Sequence, residues 1–207
     1  MIVPATADLR ERVLRSVHPL DSLPGAQGWN HEDMRLLIGA GPRRPAAVLI
    51  ALIDRADGLH VLLTRRTDDL SHHAGQVSFP GGAIDPEDRD AVDAALRETH
   101  EEIGVDRSLI EPIGLLDTFE TISSYRITPV VAWLDAGYHA VPNPREVAEV
   151  FEVPLAHFLD PLKKRVVRMN FQGRERDIYE FFHAGQRIWG ATAAMLLNFV
   201  QRLETDR

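Results

Sequence analysis

Between Arg97 and Glu102 the chain reads Arg97-Glu98-Thr99-His100-Glu101-Glu102, three carboxylates within five residues and an arginine beside them. On a helix, like charges at i,i+3 and i,i+4 repel by roughly a few tenths of a kcal/mol per pair, and an ordinary surface helix would dilute them with lysine. With Glu98 at zero and a turn of about 100° per residue, Glu102 falls near about +40° and Glu101 near about −60°. Val92, Leu96, Thr99 and Ile103 gather roughly 100–160° away, so a buried flank is expected beside an acidic one. Ala91 and Ala94 fall on the acidic side, where small side chains leave room for an approaching group. Closely set oxygen ligands of this kind suit a hard divalent cation such as Mg²⁺ or Mn²⁺. The same pattern also fits a solvated acidic face, and the cluster alone leaves both readings open.

These groups need a helix and a close turn to position them. Asp85-Pro86-Glu87-Asp88 suits a helix start, with acidic groups favoured by the N-terminal dipole; the helix is predicted over about 90–103, ending at Gly104. Before it, Val77-Ser78-Phe79 reads as a short strand ending at Pro80-Gly81-Gly82, where glycine lets backbone approach a ligand or metal. Ala46–Ile53 and His60–Thr64 are apolar runs on either side of Asp57-Gly58, the signature of two paired strands. Further strands are predicted at Ile113–Leu116, Ile127–Leu134, Val166–Phe171 and Ile178–His183. Helices are expected over residues 7–20, His31–Ile38, Pro154–Leu159 and Trp189–Leu203. Interleaved helices and strands with hairpin pairs predict an α/β fold on a mixed sheet covered by helices. Residues 1–44 form a helical extension and 45–207 the main domain.

Composition narrows the chemistry. At 207 residues and 44% hydrophobic the chain can bury a full core. No run of eighteen apolar residues predicts a membrane span, and Met1-Ile2-Val3-Pro4 lacks the basic-then-apolar pattern of a secretory signal. Cysteine is absent, which removes disulfides, thiolate metal sites and a cysteine nucleophile and fits a reducing cytoplasm. A net charge of −8 argues against a nucleic-acid partner. It still allows an anionic small molecule, because bound cations invert the local sign. No paired Cys/His spacing suggests zinc, and no G-x-S-x-G suggests a serine hydrolase.

The turn, the helix and the acidic run together resemble the Nudix box, G-x5-E-x7-R-E-U-x-E-E-x-G-U with U aliphatic. Arg97 to Val105 matches each specified position of its second half except Thr99, which stands where an aliphatic residue is usual. The first half carries one extra residue between Gly82 and Arg97, leaving Asp88 or Glu87 as the acid that pairs with Arg97. Upstream, Leu62-Leu63-Thr64-Arg65-Arg66 through Leu70-Ser71-His72-His73-Ala74-Gly75-Gln76-Val77-Ser78-Phe79-Pro80-Gly81-Gly82 resembles the signature L-L-T-x-R-(S/A)-x-x-L-R-x-H-x-G-x-V-x-F-P-G-G of coenzyme A pyrophosphatases. Thr67 replaces the small residue of that signature, and Ser71 replaces an arginine that would give a charge-assisted bond to a phosphate. Tyr125–Val131, Glu146-Val147, Val150–Leu155 and Trp189–Ala193 are similar to the same branch.

The resemblance implies a Nudix fold, a mixed sheet in an α/β/α sandwich. It also implies hydrolysis of a diphosphate, with coenzyme A cut to 4′-phosphopantetheine and adenosine 3′,5′-bisphosphate. Glu98 and Glu102, one turn apart, would ligate Mg²⁺ or Mn²⁺. Glu101 would hold a second ion or help deprotonate water, and the Gly82 carbonyl would be a backbone ligand. Arg97 would tie helix to turn. Glu146 is the candidate for a distal base, or else a solvated surface glutamate. Arg66 and His73 are candidates for substrate phosphate, against a loop ion pair and a turn-anchoring hydrogen bond. Tyr125 is placed at the pocket; His72 and His100 are read as surface residues, and Trp189, Phe181 and Phe182 as core. Two other functions fit the same box: hydrolysis of ADP-ribose or another nucleoside diphosphate derivative, and metal-free nucleotide sensing. The oligomeric state is unspecified.

Overall fold

The apolar run after Pro45 lies in a strand buried on both faces, and the rest of the fold is arranged on either side of it. The computed structural model describes residues 6–22, 25, 27–38, 41–68, 74–171 and 173–205. Two helices come first, α1 (Thr6–Ser16) and α2 (His31–Ile38), followed by β1 (Arg44–Arg55), β2 (Gly58–Arg66), β3 (Val77–Ser78) and β4 (Gly81–Ala83). Helix α3 (Ala91–Ile103) precedes β5 (Ile110–Leu115), β6 (Phe119–Glu120), β7 (Tyr125–Leu134) and β8 (Val147–Pro154). After α4 (Leu155–Leu159) come β9 (Arg165–Phe171), β10 (Arg174–His183), β11 (Gln186–Trp189) and α5 (Gly190–Thr205).

The main sheet runs β3-β2-β1-β7-β5, with β4 paired to β1, β6 to β7 and β8 to β2. Strands β1 and β7 pair in parallel from Arg44↔Tyr125 to Ile53↔Leu134, while the other ladders are antiparallel. The sheet is therefore mixed, as expected. A smaller antiparallel sheet runs β11-β10-β9.

Alternation along β1 divides the core in two. Ala47, Leu49, Ala51 and Ile53 join Ala94, Ala95 and Ile103 of α3 on one face. Val48, Ile50 and Leu52 point the other way, toward Leu196, Phe199 and Leu203 of α5 and Leu9 and Val13 of α1. Alanines on both β1 and α3 let the helix lie close to the sheet. Among the described residues no helix is long and apolar enough to cross a membrane.

Three expectations change. Ala94 is fully buried under α3, and Ala91 packs against that core, so neither leaves room for a ligand. Trp189 closes strand β11 and does not belong to the last helix. Phe181 is core, but Phe182 is 41% exposed under the guanidinium of Arg165, since neighbours on a strand face opposite ways. His72 and His73 lie outside the described residues; His100 is exposed.

Candidate active site

Helix α3 is fixed at both ends by local chemistry. Asp90 caps it, its carboxylate accepting from the Asp93 amide at 2.8 Å. Gly104 ends it in the left-handed conformation at φ 66°. The last carbonyls are satisfied by the following loop, Val141 N donating to Ile103 and Asn143 N to Glu102 at 2.7 and 2.8 Å. That loop continues to Glu146, whose carboxylate accepts from Asn143 Nδ2 at 3.3 Å.

The opposite wall is β4, paired to β1 through Ala46↔Ala83, Ala47↔Gly82 and Val48↔Gly81. Two glycines are needed here for different reasons. At Gly81, with φ +149°, a Cβ would stand 2.3 Å from the Ala47 carbonyl oxygen, so backbone forbids a side chain. At Gly82 a Cβ would stand 2.5 Å from the Glu98 carboxyl carbon, so it is the carboxylate that takes the space.

Arg97 joins the two walls. Its Nε and Nη2 donate to Asp88 at 2.9 Å each, and Nη2 also donates to the Ala83 carbonyl at 3.2 Å. The acid paired with Arg97 is therefore Asp88, while Glu87 is exposed. Hydrogen bonding from Arg97 holds the Asp88 carboxyl below the usual carboxylate range, against the burial that raises it. Nη1 carries two separate bonds, to Glu98 at 3.0 Å and Glu101 at 3.1 Å. Both glutamates can therefore turn toward a cation without disturbing the Asp88 pair.

The three glutamates differ in environment. Glu101 is exposed. Glu98 is half-buried, and burial raises its carboxyl pKa despite Arg97. Glu102 is only 3% exposed, so the buried face of α3 includes part of the expected acidic flank. Its oxygens meet the Gly81 amide at 3.3 Å and Arg66 Nη1 at 3.8 Å. Burial dominates and pushes this carboxyl up to about 8, opposed by Gly81 and Arg66 and reinforced by Glu98 and Glu146. Such a carboxylate lacks positive charge.

A hard divalent cation supplies that charge, and carboxylate and carbonyl oxygens are the donors it selects. By this test Glu98, Glu101, Glu102 and the Gly82 carbonyl fit a metal. Among the described residues no three acidic or histidine side chains converge as a ready-made cage, in keeping with Arg97 holding Glu98 and Glu101.

Arg66 ends β2 where the β2–β8 register shifts between Arg65 and Arg66, a bulge that re-aims its side chain. Its buried Nε has no hydrogen-bond partner. Arg66, Gly81, Gly82 and Tyr125 all line a cleft of about 690 Å³. The Tyr125 ring lies 4.2 Å from the Arg44 guanidinium. Candidates from three sequence regions thus meet around one cleft, while Glu98, Glu101, Glu102 and Glu146 lie outside its lining.

Sequence reasoning overlooked Glu120. It is 3% exposed on β6, lines the same cleft, and accepts from His31 Nδ1 at 2.9 Å, the Gly28 amide at 3.3 Å and Arg43 Nε at 3.4 Å. Burial opposes its ionisation, yet these donors hold its carboxyl below the usual range. The contact docks the segment before β1 against β6, across some ninety residues of chain. Nothing in the surrounding sequence, Asp117-Thr118-Phe119-Glu120-Thr121, singles it out.

Residues 42–171 match the NUDIX domain. An uncharacterised Nudix hydrolase, NudL, from Yersinia pestis (strain Pestoides F) is 38% identical over 160 residues, 77% of this chain and 80% of that protein. The NudL of Yersinia pseudotuberculosis serotype O:1b matches to the same extent. Among solved structures, a MutT/nudix family protein from Enterococcus faecalis aligns over 99% of this chain and 76% of its own, with a TM-score of 0.51 at 16% identity. A NUDIX hydrolase from Alicyclobacillus acidocaldarius aligns over 78% and 93%, with a TM-score of 0.50 at 20% identity. These two likenesses concern the fold.

Proposed function

The chain belongs to the Nudix hydrolase family, and on that premise we propose that it hydrolyses the diphosphate of coenzyme A or its derivatives with a divalent metal ion, Mg²⁺ or Mn²⁺. The products are 4′-phosphopantetheine and adenosine 3′,5′-bisphosphate. One observation carries the hydrolytic reading: two carboxylates a turn apart, Glu98 and Glu102, lie against Gly81-Gly82 and Arg66, residues that line the cleft. The substrate rests on the likeness of Leu62–Gly82 to coenzyme A pyrophosphatases.

Glu98, Glu102, Glu101 and the Gly82 carbonyl hold the cation in this reading. When bound, it neutralises the diphosphate and lowers the pKa of the attacking water. The chain does the rest. Arg66, in the cleft wall, offers its guanidinium to a phosphate oxygen, and His73 offers a second donor. Water adds to one phosphorus, the bridging P–O bond breaks, and the water proton passes to a carboxylate. Glu101, exposed on the helix, is the first candidate for that acceptor. Glu146, whose charge is felt at Glu102, is the second. Tyr125 lines the pocket and Arg97 positions the glutamates.

The test is mass spectrometry of products from coenzyme A and ADP-ribose offered together with Mg²⁺. Phosphopantetheine that vanishes with chelator or with Glu98→Gln supports the proposal. Higher kcat/KM for ADP-ribose would transfer the activity to that substrate, a reading favoured by Ser71 where the signature has arginine. Tight metal-free binding without turnover would make the protein a nucleotide sensor.

A further inference from the structure

The cleft has a second arginine. Arg176 lies on β10, half-buried, in the lining that also contains Arg66 and Gly82. Its Nη1 contacts the thioether of Met34 on α2 at 3.2 Å, and among the described residues this is its one polar contact. Met34 is 4% exposed, so the guanidinium stem is packed into the wall and does not wave in solvent. Nearby acids are engaged or too far: Asp177 pairs with Arg168 at 3.5 Å, and Asp33, which lines the same cleft, makes no ion pair with Arg176. A guanidinium stays charged under all ordinary conditions and offers five N–H donors. A thioether is a weak acceptor and leaves them unsatisfied. Holding such a cation half out of water without a carboxylate is costly, and a cleft is where an incoming anion can offset that cost.

Both residues lie outside the NUDIX match at 42–171. The pair therefore belongs to what this chain adds to the shared hydrolytic core, the expected source of substrate selection. We propose that Arg176, braced by Met34, is a specificity-determining residue that receives a phosphomonoester carried by the substrate in addition to its diphosphate. The inference rests on the hydrolytic reading above, and of the two substrates weighed there only coenzyme A carries such a group, its 3′-phosphate.

Steady-state kinetics with Mg²⁺ on coenzyme A and 3′-dephospho-coenzyme A test it, using the full chain and its Arg176→Met and Arg176→Lys variants. Wild type is expected to prefer the phosphorylated substrate by about tenfold or more in kcat/KM. Arg176→Met, which keeps the apolar packing, should remove that preference by raising KM for coenzyme A alone, and Arg176→Lys should restore part of it. Equal kcat/KM for the two substrates in wild type overturns the proposal and leaves the hydrolase reading standing. So does a loss in Arg176→Met that falls equally on both. Turnover of neither overturns the substrate reading, and calorimetry with adenosine 3′,5′-bisphosphate against AMP then decides Arg176. Tighter binding of the bisphosphate that Arg176→Met abolishes supports the subsite; equal binding refutes it.

Discussion

Arg97 and Arg176 are both half-buried guanidiniums near the same cleft, and their surroundings are opposite. Arg97 donates to Asp88, Glu98, Glu101 and the Ala83 carbonyl, all within fourteen residues of itself. Arg176 meets one thioether, 142 residues away. The turn and helix from Gly81 to Gly104 form a unit whose members fix one another over short stretches of chain. The wall formed by α2, β6 and β10 is assembled from distant segments, through contacts such as Glu120 with Gly28 and His31. Where geometry must be held for bond breaking, local over-determination suits it. Where a substrate must be selected, a sparsely paired wall leaves groups free to bind it.

The largest effect expected is on chemistry alone. Glu98→Gln and Glu102→Gln should each lower kcat by on the order of 10³-fold while thermal unfolding shows a retained fold, because both keep shape and remove only charge. For Glu102 the neutral isostere even relieves burial of a carboxylate. A collapse of the fold in either variant would mean that the helix needs those charges for stability, and the contrast would fail. The adjacent glycines cut the same line more finely. Gly81→Ala drives a methyl into the backbone of Ala47 and Val48 at positive φ and should cost about 2–3 kcal/mol of stability. Gly82→Ala meets only the end of the Glu98 side chain, so it should unfold normally and lose most of its turnover. Equal thermal shifts in the two would contradict this division.

This asymmetry also explains what could be read from the residues beforehand. The extent of α3, its Gly104 stop, the Pro-Gly-Gly turn and the β1–β2 hairpin follow from spacing and turn chemistry, because their determinants sit within a few residues of one another. The N-cap is Asp90 and not the Asp85–Asp88 run, which forms a turn ahead of the helix. The buried face of α3 was harder. A helical wheel separates polar from apolar residues, but it does not show that a carboxylate, Glu102, shares the buried side with Ala94 and Ala95. Only the sheet and β4 packed above it decide that. Strand β11 was hidden because Gln186–Trp189 runs directly into α5. Glu120 and Arg176 gave no local signal, since their partners come from the far end of the chain.

A smaller effect probes the clamp. Asp88→Asn leaves two Arg97 donors facing a neutral amide and should cost about 1–3 kcal/mol of stability, read from denaturant midpoints. Arg97 would then rely more on Glu98 and Glu101, competing with a cation for them. The metal concentration needed for half-maximal activity is expected to rise several-fold, with the saturated rate less affected. An unchanged metal requirement would show that Arg97 and the cation do not compete.

The mildest prediction concerns acid, and it separates the two regions without mutation. His157 on α4 and His183 on β10 face each other with ring centroids 5.0 Å apart. Burial lowers the pKa of His157, helped by His183 and Lys163 and opposed by the Phe182 backbone and Asp160; its buried Nε2 has no partner to receive a second proton. Burial likewise lowers His183, with His60 adding to it. Unfolded imidazole binds a proton near pH ~6.5, so below that value the unfolded state binds more protons than the folded one, and stability falls with pH. The loss begins near pH ~6.5 and is complete below the lowered folded pKa values. Asp88 has its pKa lowered from 3.8 by Arg97, so its contribution is present above that pH and is lost only as the pH falls further, through the folded value. Glu98 and Glu102, whose carboxyl pKa values burial raises, take up protons more readily in the folded state and so favour α3 as the pH falls. Hydrogen exchange at pH ~5 against pH ~7.5, corrected for intrinsic rates, should therefore show β10 and α4 losing protection by a few-fold while α3 keeps or gains its own. His157→Phe, which fits beside Phe158 and Phe181, should remove part of that acid response. Earlier loosening of α3 would reverse the ranking, making the helix that carries the glutamates the weaker of the two regions.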